Sequence, residues 1–435
     1  MLNYLKRKLD GKMKLKVRKS ILNGEVAVPG SKSHTIRAIA AALMADGTSV
    51  VRAPLESADT RSTLEAAKLM GAVVSEFPDR WEITGTGGCI KSPDTVIDMG
   101  NSGTGLRILS GIASTASQKI CFDGDSSLRS RPMGQLTEAL ANLGVKIESN
   151  EGRCPVSFTG PLKGGKTEVI GTSSQFLTAL LFACPFAEND TEIFPVDLQE
   201  KPYVEITLGW LKRLGIKFEA AEDMSWFRIP CGQKFKAFDW TIPADFSTAA
   251  FPLGAAALAG GEIKIKNLDF EDLQGDKAVF DYVAEFGAKV DIGELYTAVK
   301  PGRLEAVELD LNSTPDALPL LSVVAASANG SSRFYNVAQA RIKETDRIKC
   351  MACELAKMGI KVAELPDGMI IEGSKLSGAE LDSYDDHRIA MALTVAGLAA
   401  EGDTIINDAE CVSVTYPDFI EDFIALGADI EVIDE

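Results

Sequence analysis

A glycine between two apolar stretches recurs six times along the chain. The first stands in "LMGAVV", and the six are Gly71, Gly144, Gly215, Gly287, Gly359 and Gly427, which lie 73, 71, 72, 72 and 68 residues apart. Each follows a segment with apolar residues at helical spacing and precedes a segment that alternates apolar and polar positions. Because glycine readily adopts the left-handed conformation that ends a helix, every copy is predicted to contain a helix, a left-handed cap and a strand.

A second element recurs in phase with the first. It is a stretch of small apolar residues opened by a polar residue, such as "SHTIRAIAAALMA" or "DDHRIAMALTVAGLAA". The six openings, 69 to 74 residues apart, are Ser33, Ser102, Ser173, Ser247, Asp316 and Asp386. Because these stretches are apolar nearly all round, each is predicted to form a helix buried inside its repeat.

The repeats predict an α/β fold with two domains. Units near 72 residues are too large for propeller blades or solenoid turns. Three-fold packing of the buried helices, with sheets outside, gives two globular halves of about 200 residues each, an ordinary domain size.

Composition restricts the partners of the chain. Its 435 residues carry a net charge of −17, which repels nucleic acids and anionic membranes, and no apolar run reaches the roughly 20 residues of a membrane span. Eight cysteines are too few for a disulfide framework, so we expect a reducing, cytoplasmic location. The basic segment ahead of Met13 lacks the apolar region of a secretion signal and is interpreted as a leader extension.

One short segment matches a nucleotide-binding motif. "GPLKGGKT", residues 160–167, fits the phosphate-loop pattern G-x-x-x-x-G-K-[ST], which requires a strand before the loop and a helix after it. Here "PVSFTG" and "TEVIG" both alternate like strands, and the next helical pattern begins only near residue 173. We therefore interpret the segment as a hairpin turn between two strands and not as an ATPase or GTPase site.

Cations cluster at the openings of the buried helices and in two further segments. At the openings they are Lys32, Arg37, Arg107, His387 and Arg388; in "RSRPMG" they are Arg129 and Arg131, and in "ARIKETDR" they are Arg341, Lys343 and Arg347. A helix N-terminus attracts anions, and guanidinium groups bind phosphate and carboxylate in a bidentate manner. In an acidic protein, this arrangement predicts that two or more anionic groups bind together in one cleft.

Simpler interpretations remain open for each cluster. An arginine near a helix start often forms only a surface salt bridge. Ser173, Ser174 and Gln175 are also plausible as plain caps, and so are Asp245 and Asp316. In "KETDR", Lys343 and Arg347 are spaced to share one solvated helix face.

The motifs together resemble the 5-enolpyruvylshikimate-3-phosphate synthase family. "PGSKS", "GNSGT", "GTSSQFLTALL", "KPY", "PDA", "KETDR" and "DDHR" occur in the family's order, nearly from Met13 to the C-terminus. The resemblance implies an inside-out α/β barrel with three repeats in each of two domains. It implies one domain of residues 32–243, another of residues 1–31 with 244–435, and an active site in the cleft between them.

The resemblance also implies a reaction and its residues. The family moves the enolpyruvyl group of phosphoenolpyruvate onto the 5-hydroxyl of shikimate 3-phosphate, releasing phosphate by addition and elimination through a tetrahedral ketal. The catalytic residues implied are Asp316 as proton acceptor, Glu344 for the methylene carbon, Lys32 and His387. Phosphoenolpyruvate would be held by Lys32, Asn101, Gly103, Arg131, Gln175, Arg347 and Arg388. Shikimate 3-phosphate would be held by Lys32, Ser33, Arg37, Ser173, Ser174, Gln175, Tyr203, Asp316, Gln339 and Lys343.

Several further expectations follow from the resemblance. We expect a monomer that needs no cofactor or metal, because lysine and arginine supply the positive charge. Glyphosate is a possible inhibitor, for which Gly103 leaves room, whereas Ile108 replaces a proline that is common in the family. The cysteine pair in "CMAC", residues 350–353, is expected to be ordinary thiols on a helix, and His34 a local, solvated side chain.

The sequence departs from the family pattern in three places. Glu200 stands before "KPY" where serine is frequent, and Gln339 replaces asparagine. Where many members have a lysine that contacts phosphoenolpyruvate, "ECVSVTYPD" offers Glu410 and Val414 instead. Glu200 and Val414 motivate the alternative of a non-catalytic anion-binding relative. A second alternative is the related enolpyruvyl transferase for UDP-N-acetylglucosamine, but the loop "GDSSLRSRP" lacks that enzyme's reactive cysteine.

Overall fold

The structure is a computed structural model that describes residues 13–434. The leader extension expected ahead of Met13 lies outside these residues. The chain divides into two compact units: Gly30–Pro243, here called the central unit, and residues 13–29 with 244–434, here called the terminal unit. No helix in the described part of the chain is long and apolar enough to cross a membrane.

Helices occur throughout both units. In chain order they are α1 Lys32–Met44, α2 Ala58–Leu69, α3 Gly103–Ala113, α4 Ser126–Ser130, α5 Gly134–Asn142, α6 Ser174–Ala183, α7 Lys201–Arg213, α8 Phe246–Leu258, α9 Ala278–Glu285, α10 Leu318–Ala326, α11 Arg347–Lys357, α12 His387–Ala399 and α13 Phe419–Ala425.

Short strands alternate with these helices. They are β1 Met13–Arg18, β2 Gly24–Ala27, β3 Thr48–Arg52, β4 Val73–Phe77, β5 Arg80–Thr84, β6 Ile97–Asp98, β7 Ile120–Asp123, β8 Lys146–Asn150, β9 Arg153–Thr159, β10 Gly165–Ile170, β11 Thr191–Val196, β12 Glu219–Ala220, β13 Phe227–Ile229, β14 Asp239–Thr241, β15 Ile263–Lys266, β16 Lys289–Ile292, β17 Tyr296–Lys300, β18 Glu308–Asp310, β19 Ser331–Tyr335, β20 Lys361–Leu365, β21 Gly368–Glu372, β22 Glu380–Asp382, β23 Thr404–Asn407 and β24 Asp429–Asp434.

The described strands form six four-stranded sheets, three in each unit. Every sheet is joined in the same way, with one parallel pair followed by two antiparallel pairs. In one of them β14 runs parallel to β3, which pairs antiparallel with β5, and β5 pairs antiparallel with β4. This common scheme confirms the six-fold repeat predicted from the glycine pattern.

The helices of small apolar residues lie in the core of each unit, as predicted. Every residue of α10 is buried. In the terminal unit α8, α10 and α12 pack against one another, and in the central unit α3 packs against α1 and α6. A Cβ atom on Gly111 would lie 2.3 Å from the carbonyl oxygen of Ala179, so small residues allow α3 and α6 to pack closely.

The ends of the helices agree with the glycine prediction, but three of the six openings, predicted at Ser33, Ser247 and Asp316, differ. All six repeated glycines have φ between 77° and 114°, as a left-handed cap requires. Ser102, Ser173 and Asp386 are N-caps. However, α1 is capped by Ser31 and α8 by Asp245, two residues before the predicted Ser33 and Ser247. In both cases a polar side chain lies close enough to accept a hydrogen bond from the first turn.

The phosphate-loop match joins two different sheets. Strand β9 ends at Thr159 and β10 begins at Gly165, but β9 pairs with β7 and β8, whereas β10 pairs with β11. The predicted order of strand, loop and strand is therefore right, and the predicted hairpin is wrong. Lys166 is exposed on β10, with its Nζ 3.1 Å from the carboxylate of Glu192. A phosphate loop requires a helix N-terminus directly after it, and here strand β10 follows instead.

Candidate active site

Lys32 is the first residue of α1 and is paired with an acidic residue. Its Nζ donates a hydrogen bond to Oδ2 of Asp59 at 3.2 Å, and both side chains are largely buried. The α1 N-terminus is formed by Ser31, whose hydroxyl accepts from the backbone N–H of His34. Asp59 belongs to α2 and was not singled out in the sequence, because nothing local marks it as the partner of Lys32.

Arg131 is fixed against the opening of α3. Its Nη2 donates to Oδ1 of Asn101 and, at 3.2 Å, to the hydroxyl of Ser127. The Asn101 amide in turn donates to Asp125 at 2.8 Å. A Cβ atom on Gly103 would lie 2.8 Å from Nη1 of Arg131, so the missing side chain gives the guanidinium its space. Asn101, Gly103 and Arg131, which the family resemblance assigns to phosphoenolpyruvate, therefore lie together.

Gln175 is oriented by α3. Its Oε1 accepts from Nη1 of Arg107 at 2.6 Å, and its Nε2 donates to Thr104 at 3.0 Å. Arg107 also lies over the ring of Phe176, which adds a cation–π contact. Arg107 belonged to the predicted cation clusters but not to the candidate site, although it positions a candidate site residue.

The opening of α6 already carries a carboxylate. Oε2 of Glu200 accepts from the backbone N–H of Ser174 at 3.2 Å and from its hydroxyl at 2.9 Å. Ser173 caps the helix by accepting from the Gln175 N–H at 3.4 Å, which confirms its interpretation as a cap. Glu200 and Ser174 are each only 1% exposed. An acidic side chain therefore occupies a helix N-terminus that attracts anions.

Arg37 is a buried connection between helices. Its guanidinium donates to Thr178 in α6, to Thr207 and the Tyr203 carbonyl in α7, and to the Ser33 carbonyl. Burial lowers the pKa of Arg37 to about 10, so the side chain remains charged at neutral pH. The structure thus brings Ser33, Arg37 and Tyr203 together within the central unit.

In the terminal unit, Arg347 is surrounded by three carboxylates. It is 1% exposed. Nε donates to Asp386 at 2.8 Å, Nη1 to Asp316 at 2.8 Å, and Nη2 to Glu344 at 2.6 Å. Asp386 also caps α12 by accepting from the Arg388 N–H at 2.9 Å. The sequence marked Asp386 only as a helix opening and missed its contact with Arg347.

Asp316 lies between two arginines. Its Oδ2 is 3.0 Å from Nη2 of Arg388, and its Oδ1 accepts from Arg347. Burial alone would raise the pKa of Asp316, but the charges of Arg388, Lys343 and Arg347 hold this pKa well below its usual range. The neighbouring carboxylates raise the pKa of Arg347 although its burial opposes this. Asp316 is not the N-cap of α10, so its interpretation as a plain cap is wrong.

Stability in acid should reflect the low pKa of Asp316. A depressed pKa stabilises the fold above the unfolded value of about 4, and this contribution is lost as the pH falls toward the folded value. We expect the free energy of unfolding, measured with urea by circular dichroism, to fall less between pH 6 and pH 3 in Asp316→Asn than in the native chain. The exposed control Asp281→Asn should keep the native pH dependence; equal behaviour of the two variants would contradict this.

The remaining candidates of the terminal unit lie at or beside helix ends. His387 is 1% exposed, and its Nδ1 is 4.0 Å from Oδ1 of Asp386. Gln339 is in the 3-10 helix Ala338–Ile342 and donates to the Asn312 carbonyl at 2.9 Å. Lys343 follows that helix directly, and its charge acts on Asp316.

Two simpler interpretations of the charged clusters are settled by these contacts. Helix α11 begins at Arg347 with Asp346 as its N-cap, so Lys343 precedes the helix and the shared helix face predicted for "KETDR" is wrong. Arg129, in contrast, pairs with Asp123 at 2.6 Å and is mostly exposed, which is an ordinary surface salt bridge.

His34 lies in different surroundings from those predicted, whereas the cysteines agree with the prediction. His34 is buried and accepts a hydrogen bond from the Trp210 indole at 3.1 Å, so its interpretation as solvated is wrong. Cys350 and Cys353 lie on α11, as predicted, and all eight cysteines are free thiols. Among the described residues no group of three or more His, Cys, Asp or Glu side chains is arranged to hold a metal ion.

The fold and these side chains define a class of protein. It is an α/β protein built from six repeats, in which arginines, lysines and carboxylates meet at the openings of buried helices. Such openings suit small substrates with phosphate and carboxylate groups.

Comparisons with known proteins give the family. The sequence model described as EPSP synthase (3-phosphoshikimate 1-carboxyvinyltransferase) matches residues 17–423. A 3-phosphoshikimate 1-carboxyvinyltransferase of Ruminiclostridium cellulolyticum is 45% identical over 97% of this chain and all of its own length. One of Acetivibrio thermocellus is 46% identical over 96% of this chain and 99% of its own length. The solved EPSP synthase of Acinetobacter baumannii superimposes with a TM-score of 0.81 at 29% identity, over 97% of this chain and 100% of that one. The chain belongs to the EPSP synthase family.

Proposed function

We propose that the helix openings described above bind the two substrates of the family's reaction. The chain is a transferase of the shikimate pathway: it transfers the enolpyruvyl group of phosphoenolpyruvate to shikimate 3-phosphate in aromatic amino acid biosynthesis. The observation that carries the site assignment is Arg347, a buried guanidinium with Asp316 and Glu344 at hydrogen-bond distance. One cation for the substrate anions and two carboxylates for proton transfer meet there.

Phosphoenolpyruvate is held by cations and small groups in this proposal. The residues are Lys32, Asn101, Gly103, Arg131, Gln175, Arg347 and Arg388. The contacts of Arg131 with Asn101 and of Gln175 with Arg107 support the assignment, because they fix these side chains before the substrate arrives. Val414 supplies no charge, so Lys32 and the arginines must balance the substrate's phosphate and carboxylate.

Shikimate 3-phosphate is assigned to the openings of α1 and α6 and to the segment before α11. The residues are Lys32, Ser33, Arg37, Ser173, Ser174, Gln175, Tyr203, Asp316, Gln339 and Lys343. The N–H groups at the start of α6 suit the phosphate. Arg37, buried at the junction of α1, α6 and α7, supports the assignment by holding these openings in place.

Proton transfer is assigned to the carboxylates near Arg347. Asp316 is a weak base as long as Arg347 and Arg388 balance the charge of its carboxylate. When the arginines turn to the anions of phosphoenolpyruvate, the pKa of Asp316 rises and it accepts the proton of the 5-hydroxyl. The hydroxyl oxygen bonds to C2 of phosphoenolpyruvate as the C2–C3 double bond opens, and Glu344, in its protonated form once Arg347 has turned away, delivers its proton to C3. The product of this addition is the tetrahedral ketal.

Elimination then completes the transfer. Glu344 takes a proton back from the methyl carbon, the C2–C3 double bond re-forms, and the C2–O bond to phosphate breaks. The proton held by Asp316 leaves with the phosphate, and His387, buried beside Asp386, assists this movement. No metal or cofactor takes part in this scheme, because lysine and arginine stabilise the developing charge.

The proposal extends to the state of the protein in the cell. We propose a monomer in the cytoplasm, and the cytoplasmic location is supported by eight free thiols, which suit a reducing compartment.

A phosphate-release assay tests the proposed function. The chain is incubated with phosphoenolpyruvate and either shikimate 3-phosphate or UDP-N-acetylglucosamine. We expect phosphate to appear only with shikimate 3-phosphate. Release with the nucleotide sugar would favour the related transferase, and no release with either would favour a non-catalytic relative.

Glyphosate is proposed to compete with phosphoenolpyruvate beside Gly103. In Gly103→Ala the new Cβ, 2.8 Å from Nη1 of Arg131, must push this guanidinium away. We expect the KM for phosphoenolpyruvate and the inhibition constant of glyphosate each to rise by about tenfold, the effect of losing roughly 1.4 kcal/mol of binding. Gly134→Ala is the matched control, because a Cβ there meets nothing within 4 Å. Unchanged constants in Gly103→Ala would exclude this role of Arg131.

A further inference from the structure

Glu200 joins two helices of the central unit. Its backbone precedes α7 in the left-handed region, with φ 54° and ψ 40°, and its side chain reaches the start of α6. There Oε2 accepts from both the N–H and the hydroxyl of Ser174. A residue other than glycine is strained in this conformation, so contacts elsewhere must hold the backbone of Glu200 in place. The two hydrogen bonds to Ser174 are among these contacts.

The carboxylate lies where the proposed function puts a substrate phosphate. Ser173 and Ser174 open α6, and their N–H and hydroxyl groups are the donors that a bound phosphate would use. With Glu200 only 1% exposed, little water separates its charge from an incoming anion. Two negative groups on the same donors repel each other strongly in such surroundings.

We infer that Glu200 determines the affinity for the 3-phosphate of the substrate by competing with it for the opening of α6. Shikimate 3-phosphate binds by displacing the carboxylate from Ser174, and the cost of this displacement weakens binding. A ligand with a hydroxyl in place of the phosphate does not have to displace it. The inference rests on the proposed site, in which α6 binds the phosphate.

The test compares binding of shikimate 3-phosphate and of shikimate by calorimetry. Glu200→Gln keeps the size of the side chain and removes its charge. We expect it to bind shikimate 3-phosphate at least about tenfold more tightly than the native chain, because a like charge is removed. Its affinity for shikimate should be unchanged. The matched control is Glu205→Gln, an exposed position on the same helix, which should bind both ligands like the native chain.

A second variant protects the test against misfolding. Glu200→Gly removes the carboxylate and suits the left-handed backbone, so it should fold and also bind shikimate 3-phosphate more tightly. If shikimate 3-phosphate binds equally or more weakly in both variants, Glu200 is only a helix cap and the inference is overturned. An equal gain for shikimate would also overturn it, because the effect would not involve the phosphate.

A further substitution separates this inference from the proposed site. Binding of shikimate 3-phosphate to Ser174→Ala is measured in the Glu200→Gln background, in which no carboxylate lies at the opening of α6. If Ser174→Ala weakens binding of shikimate 3-phosphate but the Glu200 variants do not strengthen it, only the inference about Glu200 fails. If Ser174→Ala has no effect, the assignment of α6 to the phosphate fails, and the inference fails with it.

Discussion

Asp316→Ala is expected to lower kcat by about two to four decades, the usual effect of removing a general base. The side chain is the proposed acceptor for the proton of the 5-hydroxyl, and the two arginines that bind it are the ones assigned to phosphoenolpyruvate. Initial rates of phosphate release, with both substrates saturating, measure the effect.

The control for this prediction is a second aspartate of the terminal unit. Asp281 is exposed on α9, outside the candidate site, and Asp281→Ala should keep the native kcat. Asp316→Asn should be as slow as Asp316→Ala, because an amide cannot accept the proton. Near-normal turnover of either Asp316 variant would show that another group is the base.

Arg347→Met is expected to lower the free energy of unfolding by about 3–5 kcal/mol, the cost of breaking a buried ion pair by removing one partner. The substitution takes away the guanidinium that binds Asp316, Glu344 and Asp386, and Asp386 is fully buried. Urea unfolding followed by circular dichroism measures the loss. The variant should also fail to bind phosphoenolpyruvate.

Arg129→Met is the control for this loss. Arg129 pairs with Asp123 at 2.6 Å, but both side chains are partly exposed, with 55% and 20% of their surface accessible. Water screens such a pair, so its removal should cost less than about 1 kcal/mol. If the two arginine variants unfolded at the same urea concentration, the buried network would contribute no more than a surface salt bridge.

The repeat was predictable because its signals are local. A glycine in a left-handed cap and a helix apolar on all sides depend on a few neighbouring residues, so their spacing alone predicted six units. The residue that caps each helix was harder to predict. Ser31 and Ser33, like Asp245 and Ser247, are both polar and two residues apart, and only the backbone geometry decides which one caps the helix.

The pairing of charges was not predictable, because it depends on tertiary contacts. Asp386 is 39 residues from Arg347 in sequence, and Glu200 is 26 residues from Ser174. The sequence marked Glu200 as a departure from the family but gave no reason to place its carboxylate on α6. In "KETDR" the spacing of Lys343 and Arg347 suggested that both lie on one helix. However, Asp346 is the N-cap of α11, so the helix begins at Arg347 and Lys343 lies outside it.

The central claim is that carboxylates beside Arg347 move the protons of an addition followed by an elimination. Turnover in deuterium oxide, with the product analysed by proton NMR, tests it most directly. If Glu344 protonates C3 and later removes a proton from the resulting methyl group, solvent deuterium enters the vinyl carbon of the product. We expect this in the native chain only when both substrates are present, and not in Glu344→Gln. Full turnover without deuterium at that carbon would contradict the account.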